Sequence, residues 1–291
     1  MPREIDISNN ERNFILEALH QGVRVDGRSL DQFRSLGLEF GDEYGTVTAT
    51  LGKSRVHVQI SAEVTKPLDD RKFDGIFTIV TELNPIASPA YEVGRQTEQE
   101  VILSRTLEKA IRRSRAIDTE SLCIIAGAKC WSIRADAHVL DSDGGLIDCS
   151  CIAIVAALRH FRRPDVSVDG ENVTIYTMAE RVPVPLSIMH NPVCITFSFY
   201  HGGETIILDA TRSEEQVRET SVTFTVNDFE LCQVSKLGGS AVDAVALLKC
   251  INIALAKGKE INGIVAMKLA EDSTKRDVGG LIAELRAENE R

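Results

Sequence analysis

The clearest candidate for binding chemistry is a short segment, Asp141-Ser142-Asp143-Gly144-Gly145, where a predicted strand ends and a predicted apolar helix begins. Backbone N–H groups at such a helix start can bind an anion such as phosphate. The residues that follow, Leu146, Ile147 and Asp148, supply no cation to attract one. The alternative is a plain Asp-Gly turn that caps the helix, and the missing positive charge favours it.

A run of carboxylates farther along the chain offers a second kind of chemistry. Asp209, Glu214, Glu215 and Glu219 carry the oxygen ligands that Mg²⁺ prefers. Their spacing does not direct them to one point, so a solvated run of surface charge is the better interpretation. The sequence contains none of the motifs G-x-x-x-x-G-K-[ST], G-x-S-x-G, H-E-x-x-H or G-x-G-x-x-G. We therefore expect no metal site and no cofactor.

Basic residues gather in a few short segments of an otherwise acidic chain with a net charge of −10. Such a chain does not bind nucleic acid over its whole surface, because phosphate neutralisation needs clustered Lys and Arg. Any RNA contact is therefore local, and it involves phosphates more than base stacking, since aromatic residues make up 5% of the chain. Surface solvation and ion pairs with a partner subunit are the alternatives. The candidate residues are Lys66, Arg71, Lys72, Arg105, Lys109, Arg112, Arg113 and Arg115.

Composition and cysteine use narrow the class of protein. The 291 residues are 43% hydrophobic and 26% charged, without an apolar run of the length that spans a membrane. The first fourteen residues carry charges where a secretion signal needs an apolar core, so we expect an intracellular protein. The seven cysteines form no C-x-x-C pair and predict reduced thiols. His57 and His138 alternate within strand patterns, which favours structural roles over catalysis.

The hydrophobic pattern runs from strands to helices twice along the chain. A first helix, capped by Ser8 and Asn9, is predicted to bury Phe14, Ile15, Ala18 and Leu19. Strand patterns follow, and then a helix over 97–115 with Leu103, Leu107, Ala110 and Ile111 on one face and basic residues opposite. Two more strand patterns lead to an almost wholly apolar helix from residue 146.

The pattern restarts after a polar crossing segment that contains the hairpin signal Asp169-Gly170. Four strand patterns precede a helix on which one face is predicted to carry Ala241, Val245, Leu248, Ile251 and Leu255, and which Gly258 is expected to end. Two units of this kind predict a duplicated α+β fold rather than a doubly wound sheet. The expected divisions are a helical arm (1–25), a first half (26–164), a crossing segment (165–190), a second half (191–258) and a helical tail (259–291).

Several motifs, in order, resemble the RNase PH family. They are Arg24-Val-Asp-Gly-Arg28 followed by Arg34, GKSRVHVQISAEV, EVGRQTEQEVILSRTLEKAIR, VLDSDGGLIDCSCIAIVAAL, and the restart at CITFSFY. The resemblance covers roughly residues 24–257. It implies duplicated βαβ units of the type found in domain 2 of ribosomal protein S5, which agrees with the two halves read from the pattern.

The resemblance also implies where catalytic residues would be. Active members cleave RNA from its 3′ end with inorganic phosphate, using an arginine, a Gly-Thr/Ser-Arg turn and two aspartates six residues apart. Arg95 matches the arginine, but the turn corresponds to Gly145 followed by Leu146 and Ile147. The aspartates, counted from the strand end at Asp209, correspond to Ser213 and Glu219. The resemblance therefore implies a chain without a working active site.

Within the family, the chain most resembles the ring subunits of the eukaryotic RNA exosome. This implies a hetero-hexamer with other RNase PH-type subunits, cap subunits and an associated nuclease, located in the nucleus, nucleolus and cytoplasm. The ring would thread single-stranded RNA for processing of rRNA and turnover of mRNA. An active phosphate-dependent exoribonuclease is the alternative. The RNA-binding residues expected on this basis are Lys66, Arg71, Lys72, Arg95, Arg105, Arg112 and Arg113.

Overall fold

The N-terminal helix α1 (Asn9–His20) begins with the predicted cap. In this computed structural model, which describes residues 7–92, 94, 96–170, 172–177 and 180–276, the Glu11 backbone N–H donates to Ser8 Oγ at 3.3 Å and the Ser8 N–H donates to the Glu11 carboxylate at 3.2 Å. Ile15 and Leu19 are buried against the second half, as predicted. The prediction for Phe14 is wrong, because its side chain faces solvent on the other side of the helix and is 64% exposed.

The first sheet carries the predicted strands of the first half. They are β1 (Leu36–Phe40), β2 (Thr46–Leu51), β3 (Ser54–Thr65), β4 (Ile76–Leu83), β5 (Cys123–Ile125) and β6 (Lys129–Asp141). The order is β1-β2-β3-β6-β4, with β5 paired to β6. All neighbours are antiparallel except β4 and β6, which are parallel. Alternate residues of β2, β3 and β6 are buried, so the sheet packs one face on the core.

Two helices cover this sheet. Helix α2 (Glu98–Leu107) continues as a π-helical segment over Glu108–Arg113, so the single helix predicted over 97–115 has two parts. Its predicted buried face is confirmed, because Leu103, Leu107, Ala110 and Ile111 are all in the core. Helix α3 (Leu146–His160) lies between the two halves and contacts β2, β3 and the strand Val193–Tyr200 of the second half. Twelve of its residues are buried, as its apolar sequence predicts.

The crossing segment forms two small pairs of strands before the second half begins. They are β7 (Arg162–Arg163) with β10 (Val184–Pro185), and β8 (Val166–Asp169) with β9 (Asn172–Ile175). The second half has strands β11 (Val193–Tyr200), β12 (Thr205–Leu208), β13 (Thr220–Val226) and β14 (Leu231–Lys236), and helices α4 (Arg212–Val217) and α5 (Ala244–Arg276).

The second sheet repeats the strand–helix–strand connection of the first. Its order is β12-β11-β13-β14, with every neighbouring pair antiparallel. Because β12 and β13 both run against β11, they are parallel to each other, and α4 connects them. In the first half α2 connects the parallel strands β4 and β6 in the same way. The predicted α+β class with duplicated βαβ units is confirmed.

Helix α5 differs from the prediction at its middle and on its buried face. The helix end predicted at Gly258 is wrong, because α5 continues through it to Arg276. A Cβ at Gly258 would lie 2.5 Å from Val226 Cγ2, so the glycine allows close packing on β13 rather than a helix stop. On the predicted face, Val245 and Leu248 are 58% and 61% exposed, whereas Ile251 and Leu255 are partly buried against the core. Residues 277–291 of the predicted tail lie outside the described residues.

None of the helices described in this structure has the length and apolar character needed to cross a membrane.

Candidate functional site

The Gly144-Gly145 turn joins β6 to α3 at the boundary between the two halves. Both glycines have positive φ, 81° and 65°, which favours glycine. The turn is also tightly enclosed: a Cβ at Gly144 would lie 2.6 Å from the backbone oxygen of Ala210, and one at Gly145 would lie 2.5 Å from Arg34 Nη2. The glycines therefore let the start of α3 approach the end of β12 and the Arg34 side chain.

Arginines of the first half hold this turn to the second half. Arg34 donates to both carboxylate oxygens of Asp209, at 2.8 and 2.6 Å, and to the carbonyl oxygens of Asp143 and Gly144 at 2.8 and 3.0 Å. Arg28 donates to Asp209 Oδ2 at 3.0 Å. The Asp209 carboxylate is fully buried, so it depends on these donors for its solvation. Sequence reasoning assigned Arg28 and Arg34 no role beyond the family motif.

The third arginine of the same motif, Arg24, extends the contact. Arg24 is buried and donates to Glu214 Oε2 at 2.6 Å and to the Leu208 carbonyl oxygen at 3.0 Å. Two residues from the predicted carboxylate run, Asp209 and Glu214, are therefore ion-pair partners in the interior. The interpretation of the run as solvated surface charge is therefore wrong for Asp209 and Glu214, which are both buried.

The anion position at the start of α3 is occupied by a side chain of the protein. The Gly145 backbone N–H donates to Glu215 Oε1 at 3.2 Å. Arg218 Nη1 donates to the same oxygen at 3.1 Å. Burial raises the pKa of Glu215. The helix start therefore has the backbone geometry of an anion site, and the carboxylate of Glu215 takes the place of an external anion.

An open cleft of about 440 Å³ lies beside this contact. Leu146, Ile147 and Glu219 line it, as does Glu215. The Gly202 N–H donates to Glu219 Oε2 at 3.0 Å. The remaining lining residues are Leu83, Tyr91, Gln99, Ile102, Leu103, Ser142, Gly145, Thr196, Arg212, Gln216, Arg218, Thr220, Ser221 and Leu237.

Ser213 does not join the other predicted site positions. It is exposed and lines a separate cavity of about 530 Å³, together with Arg28, Lys53 and Thr211. Ser213 and Glu215 are both on α4, but Glu215 lines the cleft and Ser213 does not. Along the carboxylate run, Glu215 is therefore the residue in contact with the Gly145 amide, and sequence counting from Asp209 missed it.

Asp148, in the first turn of α3, is fully buried beneath the cleft. It accepts hydrogen bonds from the Thr196 backbone N–H at 2.8 Å and from Thr196 Oγ1 at 2.7 Å. Burial raises the pKa of Asp148 to about 8. Through these two hydrogen bonds Asp148 links α3 to β11.

Comparisons with known proteins agree with this architecture. Residues 32–164 match the model of the 3′ exoribonuclease family, domain 1, and residues 190–257 match domain 2 of the same family. The chain belongs to the RNase PH family of 3′ exoribonucleases. The predicted family is thereby confirmed.

Among relatives in this family, the exosome complex component rrp45 of Schizosaccharomyces pombe is 48% identical over 292 residues, covering 100% of both chains. The exosome complex component RRP45 of Saccharomyces cerevisiae is 46% identical over 291 residues, covering 95% of each. Among solved structures, a chain of the Archaeoglobus fulgidus exosome with RNA bound to the active site has a TM-score of 0.76 at 27% identity, covering 88% of this chain and 97% of that one.

The predicted RNA-binding residues that the structure describes in this RNase PH chain are not among those that line the cleft. Lys66, Arg71 and Lys72 are exposed on the segment between β3 and β4, and the Gly127 N–H fixes that segment by donating to the Lys72 carbonyl oxygen at 2.9 Å. Lys66 Nζ lies 3.4 Å from Asp69 Oδ1, so part of its charge is compensated.

The second basic group lies on α2 and the π-helical segment. Arg105 and Arg112 both contact Glu108, at 3.7 and 3.0 Å, and Arg113 is exposed. These positions agree with the predicted basic face of the helix. Arg95, the predicted phosphate-site arginine, lies outside the described residues.

Proposed function

We propose that this chain is a non-catalytic structural subunit of an RNA exosome core ring. In the ring it helps to form the channel through which single-stranded RNA passes for 3′-to-5′ processing and degradation. The relatives named as exosome components, similar over their whole length, support the ring role. The fold shared with an archaeal exosome chain at a TM-score of 0.76 supports assembly with other RNase PH-type subunits.

The observation that carries the non-catalytic part is the contact between Gly145 and Glu215. Phosphorolysis needs a site that binds phosphate and stabilises developing negative charge. Here the Gly145 amide is already bound by a carboxylate at 3.2 Å, and a phosphate placed there would meet that negative charge. Leu146 and Ile147 add neither a hydroxyl nor a guanidinium to the cleft.

The RNA contacts of the proposed function are phosphate contacts of the two exposed basic groups. Lys66, Arg71 and Lys72 form one group. Arg105, Arg112 and Arg113 form the other, and the resemblance adds Arg95. Such contacts are insensitive to base sequence, which suits a channel that passes many RNAs. Cap subunits and an associated nuclease complete the assembly, and we propose that it works in the nucleus, the nucleolus and the cytoplasm.

A phosphorolysis assay tests the proposal. The purified chain is incubated with single-stranded RNA and inorganic phosphate, with an active RNase PH-type enzyme as positive control. We expect no release of nucleoside diphosphates. Release that Arg95→Ala abolishes would establish instead an autonomous phosphate-dependent exoribonuclease.

Assembly is measured separately. The chain is mixed with candidate RNase PH-type ring subunits, and the mass of the product is determined by light scattering after size exclusion. We expect a hetero-hexamer. A chain that stays monomeric with every such partner would contradict the ring role.

A further inference from the structure

A row of four polar side chains crosses the outer face of the first sheet, opposite the face that packs on α3. Strand pairing places Thr48 opposite His57, His57 opposite His138, and His138 opposite Glu82. All four are exposed or half-buried, whereas the residues that alternate with them on β2, β3 and β6 are buried. The row contributes to neither the cleft nor the basic groups, so the proposed function makes no use of it.

Each histidine of the row has a polar neighbour at Nδ1. His57 Nδ1 lies 3.0 Å from Thr48 Oγ1, and His138 Nδ1 lies 3.2 Å from Glu82 Oε2. A carboxylate oxygen only accepts, so in neutral His138 the ring proton is on Nδ1 and the lone pair is on Nε2. Donation from His57 Nδ1 to Thr48 Oγ1 gives His57 the same tautomer. Within the described ranges, neither Nε2 has a polar partner.

This arrangement resembles the second shell of a metal site. Histidines that bind metals usually donate the other ring N–H to a carboxylate or another oxygen, which fixes both the tautomer and the ring orientation. Side chains directly opposite on antiparallel strands have Cβ atoms about 4.5–5.5 Å apart, so two imidazoles can reach one ion. Imidazole nitrogen is a preferred ligand of Zn²⁺ and Ni²⁺.

We propose that Nε2 of His57 and Nε2 of His138 together bind one divalent late transition metal ion on the outer face of the first sheet, with Thr48 and Glu82 orienting the rings. Among the residues that the structure describes, no group of three or more His, Cys, Asp or Glu side chains is placed to hold a metal. The site therefore supplies two protein ligands, and water completes the coordination. It is an open surface site rather than a closed structural one.

Isothermal titration calorimetry with Zn²⁺ tests the site on the full chain. All variants carry Cys232→Ser, because Cys232 is an exposed free thiol and thiols are zinc ligands. We expect one ion per chain, and loss of binding in His57→Ala and in His138→Ala. Glu82→Gln and Thr48→Val keep both ligands but lose the orienting oxygen, so they weaken binding by about tenfold or more.

His20→Ala is the matched control. His20 is exposed and its ring lies 5.4 Å from that of His201, so it belongs to a different histidine pair. This variant should bind Zn²⁺ as the parent does. His57→Gln and His138→Gln, with circular dichroism, separate the loss of a ligand from a loss of folding. A folded parent that takes up no Zn²⁺, binding that survives removal of both histidines, or loss of binding in His20→Ala would each overturn the proposal.

A second measurement needs no variant. Paramagnetic Ni²⁺ added to the folded parent chain should broaden amide NMR signals close to its binding site. We expect the broadening on β3 and β6 around His57 and His138. Broadening centred on α1 or spread evenly over the surface would contradict the site.

Discussion

The buried centre of the molecule and its exposed surface use the same residue types in opposite ways. Arg34 has 7% of its side chain exposed and donates to Asp209 and to backbone carbonyl oxygens at the Gly-Gly turn. The Arg105 side chain is 68% exposed and forms an ion pair with Glu108 at 3.7 Å. Removing the Arg34 side chain takes the bidentate donor from a buried carboxylate, whereas removing Arg105 exposes nothing that water cannot solvate. The surroundings of an arginine, more than its motif, separate a structural role from an RNA-binding one.

Arg34→Ala should have the largest effect on stability. It leaves the buried Asp209 carboxylate without its bidentate partner, so we expect the free energy of unfolding to fall by about 3–5 kcal/mol. Chemical denaturation followed by circular dichroism measures the change. Arg105→Ala is the exposed control and should stay within about 0.5 kcal/mol of the parent. Equal losses of unfolding free energy in the two variants would show that the buried and the exposed arginine contribute alike to stability.

A buried acid and an exposed acid can be compared in the same way, through the pH dependence of the free energy of unfolding. Asp148 is the buried acid. Burial raises its pKa to about 8 from 3.8, so between these values the folded state keeps a proton that the unfolded state has lost. Its contribution to the free energy of unfolding is therefore greatest below pH 4 and decreases as the pH rises to about 8.

Denaturation of the parent and of Asp148→Asn across this pH range measures the contribution. The stability of the parent relative to Asp148→Asn should decrease between pH 4 and pH 8. Asp69→Asn, at a side chain that is 88% exposed, is the control for the loss of a surface carboxylate. A flat difference for Asp148→Asn would mean that the Asp148 carboxyl is ionised in the folded protein.

Two glycines of α5 differ in their surroundings, and substituting them should change the stability by an intermediate amount. A methyl group at Gly258 would lie 2.5 Å from Val226 Cγ2, whereas one at Gly263 meets no atom within 4 Å. Gly258→Ala should therefore destabilise the protein by about 1–3 kcal/mol through overpacking. Gly263→Ala should stabilise it by up to about 1 kcal/mol, because alanine is the better helix former. Opposite shifts of the thermal midpoint would confirm this packing, and stabilisation by both substitutions would contradict it.

Local sequence signals predicted most elements of the fold. The cap at Ser8, the apolar helix α3 and the strands of both sheets follow from capping residues and hydrophobic period, which act over a few neighbouring positions. The error at Gly258 has the opposite origin. A glycine in a helical pattern usually signals a helix end, but here the approach of Val226 on β13 requires it inside the helix. That contact is invisible to a local pattern.

The site was predicted less completely, because its contacts join distant parts of the chain. The Gly-Gly turn before α3 is visible in the sequence, but Glu215, which binds its amide, is 70 residues away. The pairing of Arg34 with Asp209 spans 175 residues. A motif identifies each partner's segment without stating which side chain turns inward. Counting along the carboxylate run therefore selected Ser213, while the turn of α4 presents Glu215 to the cleft.

The smallest effect concerns the exposed basic residues, and it is seen in RNA binding rather than in stability. The substitutions Arg71→Ala and Lys72→Ala together remove two exposed cations of the segment between β3 and β4. In the assembled ring, they should weaken single-stranded RNA binding evenly across sequences. They should also reduce the slope of log K against log salt by about 1 for each phosphate that the protein no longer neutralises.

The measurement is fluorescence anisotropy with two RNAs of different sequence at several salt concentrations. Lys268→Ala, which removes a cation of α5 that pairs with Glu271 at 2.8 Å, is the control for a change in net charge alone. It should leave the slope unchanged, because a cation that does not contact phosphate releases no bound counterion. A loss equal to that of the double variant would assign the effect to overall charge, and the exposed segment would then have no particular role in holding RNA.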